Sequence, residues 1–249
     1  MKNTEAKAVL VHPSLLDIAL LAAKQAGIST DQLFQFSQTE NPTRNGVRDW
    51  RAMLASPAQS QNYACPELHG EEAKKTIATI NYSSGTTGLP KGVCVSHYNL
   101  IANILQTSFT REVFLKYGPE GRPETRWIGF LPLYHAYGQM YTILIATRIQ
   151  AEVYVMPKFV LEDYLRIIQE RKITHLNLVP PIMVMLAKRP EVDKYDLSSV
   201  VEIGCGAAPL SRELQNEVSR KFGVRVKQGW GMTEVTTGAV HVPAGIQDE

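Results

Sequence analysis

From residue 76 onward, short apolar runs alternate with longer segments of helical spacing, and this alternation restricts the fold more than any other feature. Apolar runs begin near residues 76, 127, 151, 173, 200 and 224, and helical patterns follow most of them. Strands that alternate with helices are typical of parallel sheets, whose two faces are both covered. The sequence therefore predicts an α/β fold with a mostly parallel sheet and helices on both faces.

The first 75 residues are less regular. An apolar run at 7–11 precedes a helical pattern at 13–26, and a second short strand is expected at 33–36. Residues 38–75 are polar and irregular, apart from a helix expected near 47–55. We expect residues 1–75 to be a strand–helix segment and irregular linker of the same domain as residues 76–249.

Composition excludes several classes of protein. A net charge of +2 is too small for a nucleic-acid-binding surface. Cys65, Cys94 and Cys205 lie far apart, which indicates neither a disulfide framework nor a zinc site. The N-terminus has no apolar signal core, the last residues are not Ser-Lys-Leu, and no run approaches the ~18 apolar residues of a membrane span. These features predict a cytoplasmic protein with neither a membrane span nor a nucleic-acid partner.

Residues 82–92 read Tyr-Ser-Ser-Gly-Thr-Thr-Gly-Leu-Pro-Lys-Gly and directly follow an apolar run. Glycines let a backbone come close to a ligand, and consecutive N–H groups in such a loop form an anion site. Hydroxyl groups add donors, and Lys91 adds a positive charge, so the combination favours a polyphosphate. The loop is not of the Walker type, in which Ser or Thr follows the lysine, because Gly92 stands there.

The order Ser-Gly-Thr-Thr-Gly-x-Pro-Lys-Gly resembles the phosphate loop of adenylate-forming enzymes, which include acyl- and aryl-CoA ligases, luciferases and peptide-synthetase adenylation domains. A plain surface loop is the alternative for any stretch rich in Gly, Ser and Thr. The resemblance implies the N-terminal domain fold of these enzymes and makes residues 76–249 the nucleotide- and acyl-binding core. It also implies that the ATP phosphates contact Ser83, Ser84, Gly85, Thr86, Thr87, Gly88 and Lys91.

A second motif, Leu-Pro-Leu-Tyr-His-Ala-Tyr-Gly at 131–138, lies where a predicted strand ends and a helix begins. A lone histidine there would ordinarily be a core or capping residue. The motif resembles the histidine motif of the aryl-CoA ligases, which implies that His135 lies beside the reacting carboxylate and the α-phosphate. Tyr137 and Tyr141 would then line the acid pocket, and with Met183 they suit an aromatic or medium-chain acid.

Two further motifs stand in the family's order. Residues 204–210 read Gly-Cys-Gly-Ala-Ala-Pro-Leu, and residues 228–234 read Gln-Gly-Trp-Gly-Met-Thr-Glu. Alone, each would suit a tight turn or a loop with a core tryptophan. The resemblance implies that Trp230 stacks on adenine, that Thr233 contacts phosphate and that Glu234 holds Mg²⁺, a cation that prefers carboxylates and substrate phosphates. It assigns the remaining nucleotide contacts to Gly206, Ala207, Ala208, Gln228, Gly229, Gly231 and Met232.

The chemistry that the resemblance implies has two steps. ATP activates a carboxylic acid as an acyl-adenylate, and coenzyme A then takes the acyl group as a thioester. His135, Thr233 and Lys91 would be the catalytic residues, and Lys158 would approach CoA or the substrate, although an exposed lysine after a strand is an equal alternative. The expected cofactors are ATP or AMP, Mg²⁺ and coenzyme A.

The resemblance does not extend to the family's ribose-binding aspartate or to its C-terminal catalytic domain with a catalytic lysine, so we expect a truncated N-terminal domain that is weakly active or inactive alone. An engineered fragment, a truncated gene product and a natural short paralogue all remain open. Exposed sheet edges would favour self-association. The alternative function is a non-catalytic nucleotide-binding or interaction module with a vestigial site. A Rossmann dehydrogenase lacks its Gly-x-Gly-x-x-Gly signature here.

Overall fold

The structure is a computed structural model that describes residues 1–83, 88–113 and 124–242, with side chains omitted at 110–113. The chain forms two units, Met1–His69 and Gly70–Glu249, which we call the N-terminal unit and the main unit. The functional division that the sequence predicts, between residues 1–75 and 76–249, stays a prediction.

Eleven strands are present in the described ranges: β1 (Val9–Val11), β2 (Leu33–Gln35), β3 (Arg48–Asp49), β4 (Ile77–Ser83), β5 (Lys91–Ser96), β6 (Arg126–Gly129), β7 (Glu152–Val155), β8 (His175–Leu178), β9 (Glu202–Cys205), β10 (Val226–Gly231) and β11 (Gly238–His241). The α-helices are α1 (Leu16–Ala26), α2 (Pro57–Gln61), α3 (Gly70–Lys75), α4 (His97–Val113), α5 (Ala136–Gly138), α6 (Ala146–Arg148), α7 (Leu161–Arg171), α8 (Pro180–Lys188) and α9 (Arg212–Phe222). A π-helix, Gln139–Ile145, joins α5 to α6, and 3₁₀ turns occupy Lys2–Thr4, Pro13–Leu15, Thr30–Gln32, Trp50–Met53, Pro190–Lys194 and Thr233–Val235.

The N-terminal unit is a small parallel sheet with one long helix. β2 pairs in parallel with β1 and β3, and α1 buries an apolar stripe that includes Leu16, Ala19 and Ala23. The helix expected near 47–55 is wrong, because these residues form β3 and a 3₁₀ turn. The Asp49 carboxylate accepts a hydrogen bond from the Arg51 N–H, which starts a tight turn instead of a longer helix. The short helices α2 and α3 were also not predicted.

The main unit carries the parallel sheet that the sequence predicts. β8, β9 and β10 are parallel neighbours, β11 joins the β10 edge antiparallel, and β6 pairs in parallel with β7. The start of β6 lies beside the start of β8, because the Arg126 N–H donates to Thr174 Oγ1 at 2.9 Å. Apolar side chains of β8, β9 and β10 pack with those of α7, α8 and α9 in the largest core cluster. The predicted mixed α/β fold is confirmed.

The predicted phosphate loop connects two antiparallel strands. β4 and β5 pair along their length, and Ser83 lies opposite Lys91 where the two strands end at the loop. Ser84, Gly85, Thr86 and Thr87 lie outside the described residues. The described ends of the loop are therefore one strand spacing apart, about 5 Å between backbones.

The long helix α4 begins directly after Ser96, which caps it. The Ser96 hydroxyl accepts a hydrogen bond from the Asn99 N–H, which satisfies one of the unpaired donors at the helix start. Farther along α4, Asn103 Nδ2 donates to the Gly238 carbonyl at 2.8 Å and so ties the helix to β11. None of the helices in the described part of the chain has the length and apolarity that a membrane crossing needs.

Candidate functional site

A cavity of about 640 Å³ opens in the main unit, lined by residues at and beyond the carboxyl ends of β9 and β10. Ligands in open parallel sheets bind at this edge, where the loops that follow the strands converge. The predicted site residues that line the cavity come from all four motifs: Ser83, Lys91, His135, Tyr137, Tyr141, Gly206, Ala207, Gln228, Gly229, Trp230, Gly231, Met232, Thr233 and Glu234.

His135 both caps a helix and lines the cavity. Its Nδ1 accepts a hydrogen bond from the Tyr137 N–H at 3.2 Å at the start of α5. When the imidazole is neutral, this bond places the ring proton on Nε2. The capping role and the functional role are therefore compatible, because the cap orients the ring and leaves Nε2–H as a donor for an anion.

Tyr137 and Tyr141 stand edge to face in the cavity wall, with ring centroids 5.0 Å apart. Burial raises the pKa of the Tyr137 phenol well above its usual range, and Tyr141 adds to this effect. The two rings thus form an apolar part of the cavity wall, and the Tyr137 hydroxyl stays neutral. Met183 was expected in the same pocket, but this prediction is wrong, because α8 turns its side chain into the fully buried core.

Glu234 and the end of β4 meet across the cavity. The Ser83 hydroxyl donates to Glu234 Oε1 at 3.1 Å, and Lys91 lines the cavity from the strand opposite Ser83. A carboxylate and an ammonium therefore flank the described ends of the phosphate loop. This arrangement suits a metal-bound polyphosphate, because the ammonium can pair with the phosphate oxygens and the carboxylate can bind the metal.

The strand that carries Trp230 is distorted at this point. The β10–β11 register shifts between Trp230 and Gly231, and a Cβ on Gly231 would lie 1.7 Å from the Thr237 carbonyl oxygen. Only glycine allows this approach, and such bulges re-aim neighbouring side chains. Trp230 remains 56% exposed on the cavity wall, so one face of the indole is available for stacking.

The turn after Glu234 holds a strained residue. Thr236 has φ 76° and ψ −59°, and the Thr237 N–H bonds to the Val235 carbonyl two residues back. This is a γ-turn with positive φ, a rare conformation that is costly for a β-branched residue. Thr237 Oγ1 donates to the Ala136 carbonyl at 3.1 Å, which links this turn to the helix start beside His135. Strain of this kind is typical of functional sites.

The segment after β9 forms a small-residue wall. The Gly206 N–H bonds to the Leu178 carbonyl, and Ala207 adopts a left-handed φ of 70°. A Cβ on Gly206 would lie 3.7 Å from the Tyr137 ring, so Gly206 and Tyr137 are neighbours in the cavity wall. Burial raises the pKa of the adjacent Cys205 thiol to about 11, which keeps it protonated near neutral pH. Cys205 therefore packs in the wall and is not a nucleophile.

Some predicted residues lie elsewhere. Ala208, Gly88 and Lys158 are described but do not line the cavity: Ala208 follows the wall segment, Gly88 lies in the turn before β5, and Lys158 follows β7. Ser84, Gly85, Thr86 and Thr87 remain outside the described residues.

The cavity also has lining residues that sequence reasoning missed, among them Asn177, Glu202, Lys227, Thr237 and His241. A signal for three of them was present, because polar Asn177, Glu202 and Lys227 interrupt otherwise apolar strands. His241 lies against Gly229 and Gly238, and burial lowers its pKa. Its neutral ring closes one side of the cavity.

Within the described ranges, no cluster of three or more His, Cys, Asp or Glu side chains is arranged to hold a metal ion. A Mg²⁺ ion commonly uses only one or two carboxylates together with substrate phosphates and water. Glu234, with Ser83 beside it, fits that donor set, so the residues present are suitable for a metal that arrives with a nucleotide.

A parallel sheet with a cavity at its carboxyl edge, lined by a lysine, a histidine, an exposed tryptophan and a glutamate, defines a nucleotide-binding α/β enzyme domain. The profile described as AMP-binding enzyme matches residues 1–249, and the chain belongs to that family. The resemblance to adenylate-forming enzymes that the sequence motifs indicate is thereby confirmed.

Named relatives and solved structures agree with this family. The protein named Probable 4-coumarate–CoA ligase 1 from Dictyostelium discoideum is 39% identical over 177 residues, which are 70% of this chain and 31% of that protein. A red-emitting luciferase from Phrixothrix hirtus superposes with a TM-score of 0.75 at 30% identity, over 94% of this chain and 43% of that one. ATP-bound MatB from Rhodopseudomonas palustris superposes with a TM-score of 0.76 at 26% identity, over 98% of this chain and 43% of that one. The chain thus spans less than half the length of each of these proteins.

Proposed function

We propose that this chain supplies the nucleotide- and acyl-binding core of an enzyme that activates a carboxylic acid with ATP and passes the acyl group to coenzyme A. One observation carries the proposal: Lys91, His135, Trp230 and Glu234, which are far apart in sequence, line one cavity. The name of the Dictyostelium discoideum relative supports an aryl acid. The paired Tyr137 and Tyr141 rings support an aryl or medium-chain acid.

The residues would divide the work as follows. Lys91 offsets the negative charge of the phosphates. The Thr233 hydroxyl and the loop residues Ser84, Gly85, Thr86 and Thr87 donate hydrogen bonds to the phosphate oxygens. Trp230 stacks on adenine, and Gly206 and Ala207 let the base lie flat against the backbone. His135 Nε2–H donates to the acid carboxylate or to an α-phosphate oxygen. Such positioning and charge stabilisation lower the barrier without covalent help from the protein.

The proposed reaction consists of two displacement steps, one at phosphorus and one at the acyl carbon. A carboxylate oxygen attacks the α-phosphorus, and the bond to the pyrophosphate leaving group breaks. The CoA sulfur then attacks the acyl carbon, and AMP leaves as the thioester forms. Glu234 would hold Mg²⁺, which when bound offsets the negative charge of the ATP phosphates. Each of the other contributions comes from side chains that orient the substrate or donate hydrogen bonds to it.

Calorimetry of ATP–Mg²⁺ binding tests the proposal directly. We expect the chain to bind ATP–Mg²⁺ and the Lys91→Ala variant to bind at least about tenfold more weakly, because a charge-assisted contact to phosphate is lost. Lys194→Ala is the matched control, since Lys194 is an exposed lysine of the main unit outside the cavity. Equal affinities for the parent chain and Lys91→Ala, or no binding by the parent chain, would contradict the proposal.

Turnover separates the enzyme from the alternative. ATP binding without turnover would fit both an enzyme core that is inactive alone and a non-catalytic nucleotide-binding module. Addition of the C-terminal catalytic domain of a family member separates the two, because only the enzyme core should then release pyrophosphate in the presence of an aryl or medium-chain acid. Four expectations from the sequence stay predictions. They are the approach of Lys158 to CoA, the contact of Ala208 and Gly88 with nucleotide, a cytoplasmic location, and self-association through exposed edges.

A further inference from the structure

A hydrogen bond between two amide side chains joins the phosphate-loop strand to the helix that follows the histidine motif. Asn81 Nδ2 donates to Gln139 Oε1 at 2.9 Å, although 58 positions separate the two residues in sequence. Asn81 directly precedes the loop motif at 82–92, and Gln139 directly follows the histidine motif at 131–138. Neither residue lines the cavity. The bond therefore connects two parts of the candidate site from outside it.

Each end of this bond is linked through the backbone to a cavity residue. Asn81 lies on β4 two residues before Ser83, and the β4–β5 register places Ser83 opposite Lys91. On the other side, the Gln139 N–H donates to the His135 carbonyl at 2.9 Å, so Gln139 lies one helical turn after His135. A shift of β4 relative to the helix would therefore change the distance between Lys91 and His135.

The helix changes its hydrogen-bonding pattern at Gln139. The π-helix begins at this residue, directly after α5. Because a π-helix departs from 3.6 residues per turn, the direction of a later side chain such as Tyr141 depends on where the π-helix begins. The bond from Asn81 is made to its first residue, so it also constrains the direction of Tyr141.

The amide pair contributes more to position than to stability. Asn81 is only 8% exposed. A buried amide needs a hydrogen bond to offset the loss of its water, so the net gain in stability from the bond is small. An apolar pair of similar shape could pack there without this cost, but it would lack the length and direction of a hydrogen bond. The main effect of the pair is therefore on the relative position of the two segments.

A second hydrogen bond holds the loop strand, but it lies where the ligand would bind. Ser83 Oγ donates to Glu234 Oε1 at 3.1 Å, and both residues line the cavity. Under the proposed function Glu234 holds Mg²⁺, so a bound ligand competes with this bond. The Asn81–Gln139 bond uses no group that the ligand needs, so it can hold β4 in both the free and the bound protein.

We propose that Asn81 and Gln139 are positioning residues, which hold the phosphate-loop strand and the His135 helix at the separation that one ATP molecule needs to contact both. The inference rests on the proposed function, because it concerns the same nucleotide site. The two amides act through Lys91 and His135 and touch neither the nucleotide nor the acid. A ligand that contacts both sides should therefore depend on the pair, and a ligand that contacts only the His135 side should not.

Calorimetry of the full chain with two ligands tests this dependence. ATP–Mg²⁺ carries the β- and γ-phosphates that the loop would hold, whereas 3-phenylpropanoyl sulfamoyl adenosine, a stable acyl-adenylate analogue, lacks them. In Asn81→Leu we expect ATP–Mg²⁺ to bind at least about fivefold more weakly, because its charge-assisted contacts are no longer made together. The analogue should bind within about twofold of its affinity for the parent chain, which also shows that the variant is folded. A loss of the same size for both ligands, or none for ATP–Mg²⁺, would overturn the inference.

A double-mutant cycle shows whether the effect passes through His135. In a His135→Ala background one of the two contacts is already absent, so Asn81→Leu should weaken ATP–Mg²⁺ binding by less than about twofold. A merely structural role would give the same loss with and without the histidine, and that result would refute the positioning role.

An exchange variant tests the hydrogen bond itself. Asn81→Gln with Gln139→Asn moves one methylene group from one side of the bond to the other and keeps a donor and an acceptor on each side chain. We expect ATP–Mg²⁺ affinity to return to within about twofold of that of the parent chain. An affinity as low as that of Asn81→Leu would show that the bond is not responsible.

Asn99→Leu is the matched control. Asn99 Oδ1 accepts hydrogen bonds from the Ser96 N–H and hydroxyl, at the end of β5 that is remote from Lys91. The substitution should lower the melting temperature and leave the affinities for both ligands within about twofold of the parent values. A selective loss of ATP–Mg²⁺ affinity in this control would mean that any destabilisation near β5 has the same effect, and would refute the assignment to Asn81.

The same measurements separate the two levels of the argument. If the parent chain binds ATP–Mg²⁺ and Asn81→Leu binds it equally well, the proposed function stands and the inference fails. If the parent chain binds neither ATP–Mg²⁺ nor the analogue, both are refuted.

Discussion

Replacing Gly204 with valine should separate acyl binding from folding. The valine Cβ would meet only Asn177 Oδ1 and the Leu176 carbonyl, both at 3.9 Å, which is ordinary van der Waals contact. The strand therefore accepts the side chain, and loss of glycine flexibility should stabilise the folded state by up to ~1 kcal/mol. The two methyl groups, however, would project into the cavity beside Gly204, where we propose that the acid binds.

The expected cost falls on acyl binding alone. Forcing extra carbon atoms into a filled space costs about 1–3 kcal/mol, which corresponds to roughly 5- to 150-fold weaker binding. AMP should bind as it does to the parent chain, because Gly206 and Ala207, the proposed adenine contacts, follow the end of β9 beyond Gly204. Calorimetry with AMP and with the phenylpropanoyl sulfamoyl adenosine gives both affinities, and the ratio of the two is the decisive quantity.

Ile203→Val is the matched control for this experiment. Ile203 is the preceding residue of β9, points to the opposite face and is fully buried in the core. Its shortening should lower the free energy of unfolding by about 0.5–1.5 kcal/mol and leave the ratio of affinities unchanged. Equal losses of AMP and acyl-adenylate affinity in Gly204→Val, or no loss of either, would refute the binding of the acid beside Gly204.

Three further predictions concern stability and reactivity. Since burial depresses the pKa of His241, the unfolded state binds more protons below about pH 6.5, and stability is lost as pH falls. His241→Gln should therefore flatten this part of a pH series of urea unfolding curves, and an unchanged pH dependence would contradict the lowered pKa. Cys205 should react with maleimide much more slowly than the exposed Cys94 at pH 7, and comparable rates by mass spectrometry would contradict its burial and raised pKa. Gly138→Ala should destabilise the chain by about 1–3 kcal/mol, because the new Cβ would lie 2.2 Å from the rigid Pro132 carbonyl oxygen; an unchanged melting temperature would refute that packing.

Local patterns in the sequence predicted much of the fold. The six strands of the main unit that were expected near residues 76, 127, 151, 173, 200 and 224 begin within about two residues of those positions, because each depends on a local apolar run. The prediction of a helix at 47–55 was wrong because Asp49 ends the two-residue strand β3 and caps the 3₁₀ turn that follows it. Neither role can be recognised from helical periodicity. The hairpin of β4 and β5 was not predicted, since pairing between strands is not encoded in the periodicity of either strand.

The family and most cavity residues could be predicted from the motifs alone, because each motif is a short run of consecutive residues whose order is specific. These motifs are the phosphate loop, the histidine motif, the small-residue turn and the Trp-Gly-Met-Thr-Glu segment. What only the tertiary structure decided is which side chains share the cavity. Met183 belongs to the core and Lys158 lies outside the cavity, while Asn177, Gly204 and Lys227 become neighbours. Strand order and register are set by contacts between residues distant in sequence, so the part of the cavity lined by Asn177, Gly204 and Lys227 exists only once β8, β9 and β10 have paired.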